Sequence, residues 1–158
     1  KLRVIASMQP LHAYPDDDTL TVWARNVGAE RAERGWAWHS IQAAGGVLAF
    51  GSDWPIVTLS PWPGLQNAVT RKTTEGEPEG GWIPSERLSI QEAIKGYTIN
   101  AAFAGHREKR EGSLEPGKVA DLIVVSQNLF KVDPARIRKT KVLLTMVGGK
   151  VVYSSAKF

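Results

Sequence analysis

Short apolar runs alternate with amphipathic stretches along the first part of the chain. Residues 2–7 (LRVIAS) and 46–50 (GVLAF) are apolar runs of strand length, and residues 36–45 (WAWHSIQAAG) have the pattern of a helix. This alternation predicts an α/β domain. A continuous apolar run is typical of a parallel strand covered on both faces, and in such folds the residues just past the carboxyl end of the strand carry the chemistry.

Two further helices are predicted downstream. One covers residues 65–72 (LQNAVTRK), and the other covers residues 89–105 (SIQEAIKGYTINAAFAG). Ser89 and Glu92 have the spacing of a capping box, in which each side chain bonds the backbone N–H of the other residue. Gly105 is the predicted stop of this helix.

The pattern becomes β-rich after residue 110. Residues 118–125 (KVADLIVV) and 141–147 (KVLLTMV) predict strands, and the Gly148–Gly149 pair predicts a two-residue hairpin turn because glycine tolerates positive φ. Between the strands, Pro134 suits the first position of a short helix. We therefore predict two regions, residues 1–110 of α/β type and residues 111–158 as a small β-structure.

Composition narrows the function classes. The 158 residues are 42% hydrophobic and 23% charged, which is sufficient for a globular core. The net charge is +4, but the basic residues are dispersed except at 106–110 and 136–141, so we expect no nucleic-acid partner. No apolar run of ~18 residues predicts a membrane span. The absence of cysteine excludes disulfides and thiolate metal sites; it leaves the compartment open, with the cytoplasm favoured.

The run GSDWP, residues 51–55, ends the second predicted strand abruptly. We expect Gly51 to let the backbone turn without a Cβ clash, so that Asp53 reaches the open end of the sheet. From the residues alone, two interpretations of Asp53 remain. It either caps the turn that follows or serves in catalysis.

Five segments carry a resemblance to a known family. They are SMQPLH, AGGVLAFGSDWP, LSIQEAIKGYTINAA, GSLEPGKVADLIVV and VLLTMVGGKVVY, in this order. Together they resemble the carboxyl-terminal part of the amidohydrolase superfamily, in its family-3 branch, over nearly the whole chain. The resemblance implies a metal-dependent hydrolase with a distorted (β/α)8 TIM-like barrel and a small β-sandwich built from both chain ends.

The chain also departs from the family pattern. Members usually begin with a His-x-His motif on the first barrel strand, whereas this chain has 3 histidines and no such motif. A (β/α)8 barrel needs about 250 residues. We therefore expect this chain to be a carboxyl-terminal piece whose partner is the missing amino-terminal half. By itself, this chain is expected to hold no metal and to have no activity. A homo-oligomer remains open.

The resemblance assigns roles to two residues. It implies that Asp53 binds a divalent metal, with Zn²⁺ favoured, and carries a proton from the activated water to the leaving group. It makes His12, in a Gln-Pro-x-His segment, a metal ligand or a substrate contact, since neutral imidazole is a natural Zn²⁺ donor. A lone histidine in a loop is otherwise more often a surface or core residue.

Aromatic and basic residues near these positions are candidate substrate contacts. Trp54, Trp62 and Trp82 fall in loops expected near the active rim, with loop packing as the alternative interpretation. His39 is a weaker candidate on a predicted helix, and His106 is expected to be solvated. Three arginines around that helix offer a carboxylate contact, although a solvated face is the favoured interpretation: Arg25, Arg31 and Arg34.

Two function classes follow. The first is the catalytic carboxyl-terminal part of a metal-dependent amidohydrolase that hydrolyses a C–N bond in a small amide-type substrate. The second is a noncatalytic binding or regulatory module that kept the fold and lost the metal centre. The intact GSDWP run favours the first class.

Overall fold

The structure, a computed structural model, describes residues 4–156 and is of mixed α/β type. Strands β1 (Ile5–Met8) and β2 (Val47–Phe50) form a two-stranded parallel sheet. Their register pairs Ile5 with Val47 and Met8 with Phe50. Both predicted strands are present, but Val4 and Gly46 lie outside them and β1 continues to Met8. Leu2 and Arg3 lie outside the described residues.

The connection between β1 and β2 is helical but irregular. A 3₁₀ turn follows β1, then a π-helical segment leads into three short α-helices. In chain order these elements are Pro10–Ala13, Asp18–Trp23, α1 (Ala24–Val27), α2 (Ala29–Ala32) and α3 (Trp38–Ala43). Helix α3 confirms the predicted helix only in part, because Trp36 adopts a left-handed φ of 49° and lies in the turn before it.

Helix α4 (Pro61–Thr70) begins earlier than predicted, with Pro61 in its first turn, where proline is favoured. The helix predicted over residues 89–105 is in fact two helices, α5 (Ile90–Tyr97) and α6 (Ile99–Ala104). They break at Thr98, whose hydroxyl donates to the carbonyl of Ile94 at 2.7 Å, a bond that competes with the helix backbone. Both helices contact β2.

Two local motifs predicted in this region have the expected form. Ser89 and Glu92 make the capping box at the start of α5, with the Glu92 carboxylate accepting from the Ser89 backbone at 2.8 Å. Helix α6 ends at Gly105, as predicted.

The remaining strands form an antiparallel sheet in the order β3 (Leu122–Val125), β4 (Val142–Val147) and β5 (Lys150–Ser154). The Gly148–Gly149 turn joins β4 to β5 with φ of 55° and 79°, which confirms the hairpin. Pro134 opens a 3₁₀ helix, Pro134–Lys139, also as predicted.

One hydrophobic core joins the two predicted regions. It contains Ala13, Trp38, Leu48, Phe50, Leu65, Ala68, Leu88, Ala93 and Ile137. Ile137 comes from the 3₁₀ helix after β3, and the backbone N–H of Arg138 donates to the side chain of Gln66 in α4 at 3.0 Å. The division at residues 110 and 111 therefore stays a prediction, as do the barrel and the β-sandwich.

Across the described part of the chain, the helices are too short or too polar to cross a bilayer.

Candidate functional site

The register of β1 and β2 brings two sequence-predicted residues to the same edge of the sheet. Met8 and Phe50 are the last paired residues, and the N–H of Gly51 extends the pairing with a 3.3 Å bond to the carbonyl of Met8. Both strands run in the same direction, so their carboxyl ends lie side by side. His12 follows the first end, and Asp53 follows the second.

His12 lies in the 3₁₀ turn Pro10–Ala13. Proline at the start of this turn has no backbone N–H to satisfy, and the N–H of His12 donates to the carbonyl of Gln9 at 3.0 Å. The imidazole is partly buried, and its Nε2 atom is sealed from solvent without a hydrogen-bond partner among the described residues. A buried nitrogen of this kind needs a partner.

Asp53 makes the turn after β2, with a left-handed φ of 61°. Aspartate tolerates this conformation better than most residues. Our expectation that Gly51 relieves a Cβ clash is wrong for the described residues, because a Cβ built there meets no atom within 4 Å. The N–H of Trp54 donates to the hydroxyl oxygen of Ser52 at 3.2 Å. The side chain of Ser52, rather than that of Asp53, therefore caps this turn.

The Nε2 atom of His12 lies 3.4 Å from Oδ2 of Asp53. This separation is long for an N–H···O hydrogen bond. It matches the distance of roughly 3.4 Å between two ligand atoms bound at about 2.0–2.2 Å to one tetrahedral Zn²⁺. The pair therefore fits two positions of a metal site. Among residues 4–156, no three side chains of His, Cys, Asp or Glu form a group that could hold a metal ion.

The other predicted residues lie in different surroundings. Trp54 follows Asp53 directly and is 64% exposed. The prediction that Trp62 lies in a loop is wrong, because Trp62 is in the first turn of α4 and packs against the core. His39 is exposed on α3 and is one of the lesser influences that lower the pKa of Glu92, after the hydrogen bonds from Ser89. Whether Trp62 and His39 contact substrate stays a prediction.

Trp82 belongs to a packed tryptophan cluster. Its ring lies 6.0 Å from that of Trp23 and 5.7 Å from that of Trp36, with edge-to-face geometry in both pairs. The guanidinium of Arg71 covers the ring of Trp82 at 5.0 Å and donates to its carbonyl at 2.8 Å. The guanidinium of Arg71 therefore covers one face of the Trp82 ring. Whether Trp82 contacts substrate stays a prediction.

Arg71 is fully buried between Trp82 and Trp38, whose ring lies 4.6 Å from the guanidinium. Burial lowers the pKa of Arg71 from its usual value to about 10, and the charge of the buried Glu86 offsets part of this shift. Glu86 in turn accepts hydrogen bonds from the backbone and hydroxyl of Ser40. This network ties the end of α4 to the start of α3.

The remaining histidine and arginines are at the surface. His106 is exposed, as expected. Arg34 pairs with Glu30 at 2.6 Å, and Arg31 donates to the carbonyl of Val27. Arg25 is exposed as well. These contacts agree with the interpretation of a solvated helical face.

Sequence reasoning missed the buried polar residues of α4. Gln66 and Asn67 are each less than 5% exposed, as is Arg71 directly after the helix, yet polar residues in a helix usually indicate a surface. One signal was available, because the ten residues of α4, PWPGLQNAVT, include no charged side chain. A helix without charge is typical of an element that is covered on most sides.

Histidine and aspartate side chains at the carboxyl ends of adjacent parallel strands are typical of α/β proteins that bind ligands at that edge of the sheet. The chain belongs to the amidohydrolase family, whose profile matches residues 1–153. The protein LONG AFTER FAR-RED 3 of Arabidopsis thaliana is 36% identical over 97% of this chain, which covers 25% of that relative. The N-substituted formamide deformylase of Arthrobacter pascens is 37% identical over 73% of this chain, which covers 21% of the enzyme.

A solved structure agrees with this assignment. The crystal structure of an uncharacterized metal-dependent hydrolase from Pyrococcus furiosus has a TM-score of 0.56 and 28% identity over 74% of this chain, which covers 22% of that protein. The chain thus spans about a quarter of the length of the curated relatives described above.

Replacement of Arg71 by lysine tests the buried network. Lysine lacks the planar group that stacks between two indoles and cannot reach all three carbonyls that Arg71 bonds, so we expect Arg71→Lys to lower the free energy of unfolding by about 2–4 kcal/mol. Urea denaturation of the full-length protein, meaning this chain with any residues that accompany it, measures the change. The exposed Arg34→Lys is the control, with a loss below about 0.5 kcal/mol. Equal stability of the two variants would contradict the role assigned to Arg71.

Proposed function

We propose that this chain is the carboxyl-terminal part of a metal-dependent amidohydrolase that hydrolyses a C–N bond in a small amide-type substrate. The observation that carries the proposal is the pair His12 and Asp53, which lie 3.4 Å apart at the carboxyl edge of the parallel strands. Family membership supports a hydrolytic role. The name N-substituted formamide deformylase, borne by one relative, supports a C–N bond as the target.

His12 and Asp53 are the residues of this chain that would hold the metal. The sealed Nε2 atom of His12 lacks a partner among the described residues, and a metal ion satisfies such a nitrogen as a hydrogen-bond donor would. A divalent ion held by these residues, for which we propose Zn²⁺, would lower the pKa of a bound water to about 7 and so supply a nucleophile at neutral pH. The remaining ligands come from outside residues 1–158 in this proposal.

Asp53 moves the proton. Its side chain is 49% exposed, so one carboxylate oxygen can reach a water and a substrate at the edge of the sheet. Asp53 accepts the proton of the attacking water while the new C–O bond forms at the amide carbon. It then donates that proton to the nitrogen as the C–N bond breaks, and the leaving group departs as a neutral amine.

The loop after Asp53 indicates the kind of substrate. Trp54, Ile56 and Leu59 are 64%, 74% and 70% exposed, which is unusual for three large apolar side chains within one loop. Apolar side chains beside a polar reacting pair are typical of small-molecule sites. We therefore propose an amide that carries an apolar substituent next to the scissile bond.

The alternative is a noncatalytic module that kept the fold and lost the metal centre. It predicts a full-length protein that binds no metal and hydrolyses no amide. The experiments below separate the two functions.

Replacement of Asp53 by asparagine tests the proton carrier. Asparagine keeps the size and one coordinating oxygen but has no basicity, so we expect kcat of the full-length protein to fall at least about a hundredfold. Metal content, measured by elemental analysis of the same preparation, should largely survive because other ligands remain. The exposed Asp17→Asn serves as the control. Near-normal turnover of Asp53→Asn would return Asp53 to the role of a turn residue.

Removal of the metal tests the cofactor. Exhaustive chelation of the full-length protein should abolish amide hydrolysis, and added Zn²⁺ should restore it. Replacement of His12 by glutamine removes an imidazole ligand, so the affinity for Zn²⁺ should fall by about tenfold or more. His106→Gln, in an exposed segment, should leave the affinity unchanged. Full activity after chelation would exclude the metal-dependent mechanism.

Truncation of Trp54 tests the substrate class. With Trp54→Ala, we expect kcat/KM to fall about tenfold for amides with an apolar substituent and to change little for the same amides without it. Ile123→Ala, an exposed apolar position on β3, is the control. If Trp54→Ala affected both kinds of amide equally, the apolar substituent would not be bound by this loop.

A further inference from the structure

The side chain of Asn67 is buried in α4 and bonds the turn that carries His12. It is 1% exposed, and its Nδ2 atom donates to the carbonyl of Pro10 at 2.7 Å. Its Oδ1 atom has no hydrogen-bond partner among residues 4–156. The bond to Pro10 is therefore the hydrogen bond that this amide makes within the described part of the chain.

An amide is a costly choice at such a position. A buried polar group destabilises the fold unless it is bonded, and a leucine of similar size would fill the space without adding an unpaired Oδ1 of its own. The orientation of the amide is also determined, because a flipped Asn67 would place Oδ1 against the carbonyl oxygen of Pro10. The bond to Pro10 is what distinguishes asparagine from leucine here.

Helix α4 packs against the turn of Pro10 and bonds the Pro10 carbonyl. The Asn67 amide donates to the carbonyl of Pro10. The Pro10 ring faces Gly64, where an added Cβ would lie 3.8 Å from the Cβ of Pro10. Since the φ of proline is fixed by its ring, a bond to its carbonyl restrains the direction in which the chain leaves Pro10. That direction sets the 3₁₀ turn and the place of His12 within it.

We propose that Asn67 is a positioning residue, which acts through Pro10 to hold the imidazole of His12 beside Asp53. Asn67 touches neither His12 nor Asp53 through any hydrogen bond of the described residues. The inference rests on the proposed function, because the position of His12 beside Asp53 matters for activity only if the two residues bind the metal. The hydrogen bond and its effect on the turn can nevertheless be measured without metal or substrate.

Gln66 provides a matched control on the same helix. It is 4% exposed, and its Oε1 atom accepts from the N–H of Arg138 at 3.0 Å rather than from the turn of His12. Asn67→Leu and Gln66→Met each replace a buried amide by an apolar side chain of similar size. The two variants remove the same kind of interaction but disconnect α4 from different segments.

The first measurement is amide hydrogen exchange of the metal-free, full-length protein. In the turn, the N–H of His12 bonds Gln9 and that of Tyr14 bonds Leu11. We expect these two amides to exchange about tenfold faster in Asn67→Leu and at the wild-type rate in Gln66→Met. If Asn67→Leu does not fold, Asn67→Ala replaces it, since a smaller side chain removes the bond without crowding the site. Equal exchange in the Asn67 and Gln66 variants would overturn the proposal.

The second measurement is binding of Co²⁺, followed by its visible absorption spectrum, together with kcat and KM. A displaced His12 should weaken Co²⁺ binding by about tenfold, change the spectrum, and lower kcat with little change in KM in Asn67→Leu alone. Unchanged affinity and spectrum in that variant would overturn the positioning role. A wild-type protein that binds no Co²⁺ would instead contradict the proposed function, and the exchange result would then decide the inference by itself.

Discussion

The in-register parallel pairing of β1 and β2 determines whether this chain has a site at all. Because side chains alternate between the two faces of a strand, a slip of one residue would turn the set from one face to the other and would shift the ends of the strands relative to each other. With Met8 opposite Phe50, β1 and β2 end side by side at the same edge of the sheet. The 3.4 Å approach of His12 to Asp53 follows from that alignment and from the two tight turns after the strands.

Helix α4 supports the turn of His12. It follows the Asp53 loop in sequence, yet it contacts the turn of His12 through Asn67 and the β-rich region through Gln66. At its end, Arg71 lies between Trp38 and Trp82 and bonds the carbonyls that precede α3. Each contact uses a polar group that is buried and bonded, so the helix fixes the relative positions of segments that are distant in sequence.

The features predicted correctly from sequence are local ones. The capping box at Ser89 and the Gly148–Gly149 hairpin depend on a few adjacent residues, and the apolar strands depend on short runs. The break at Thr98 and the burial of Asn67 depend on partners that the pattern does not reveal. The site falls between these cases. Resemblance and the strand ends singled out His12 and Asp53, but only the register shows that they meet.

The two residues of the pair differ in a way that suits different tasks. The Nε2 atom of His12 is sealed within a turn that α4 bonds, which suits the proposed role of a ligand that must stay in place. The Asp53 side chain is 49% exposed and stands on a turn that its neighbour Ser52 caps, so its carboxylate is not needed to hold the backbone. A proton carrier requires that freedom, because the same oxygen must face the water first and the leaving nitrogen afterwards. The restraint on His12 and the freedom of Asp53 are therefore complementary parts of the proposed chemistry.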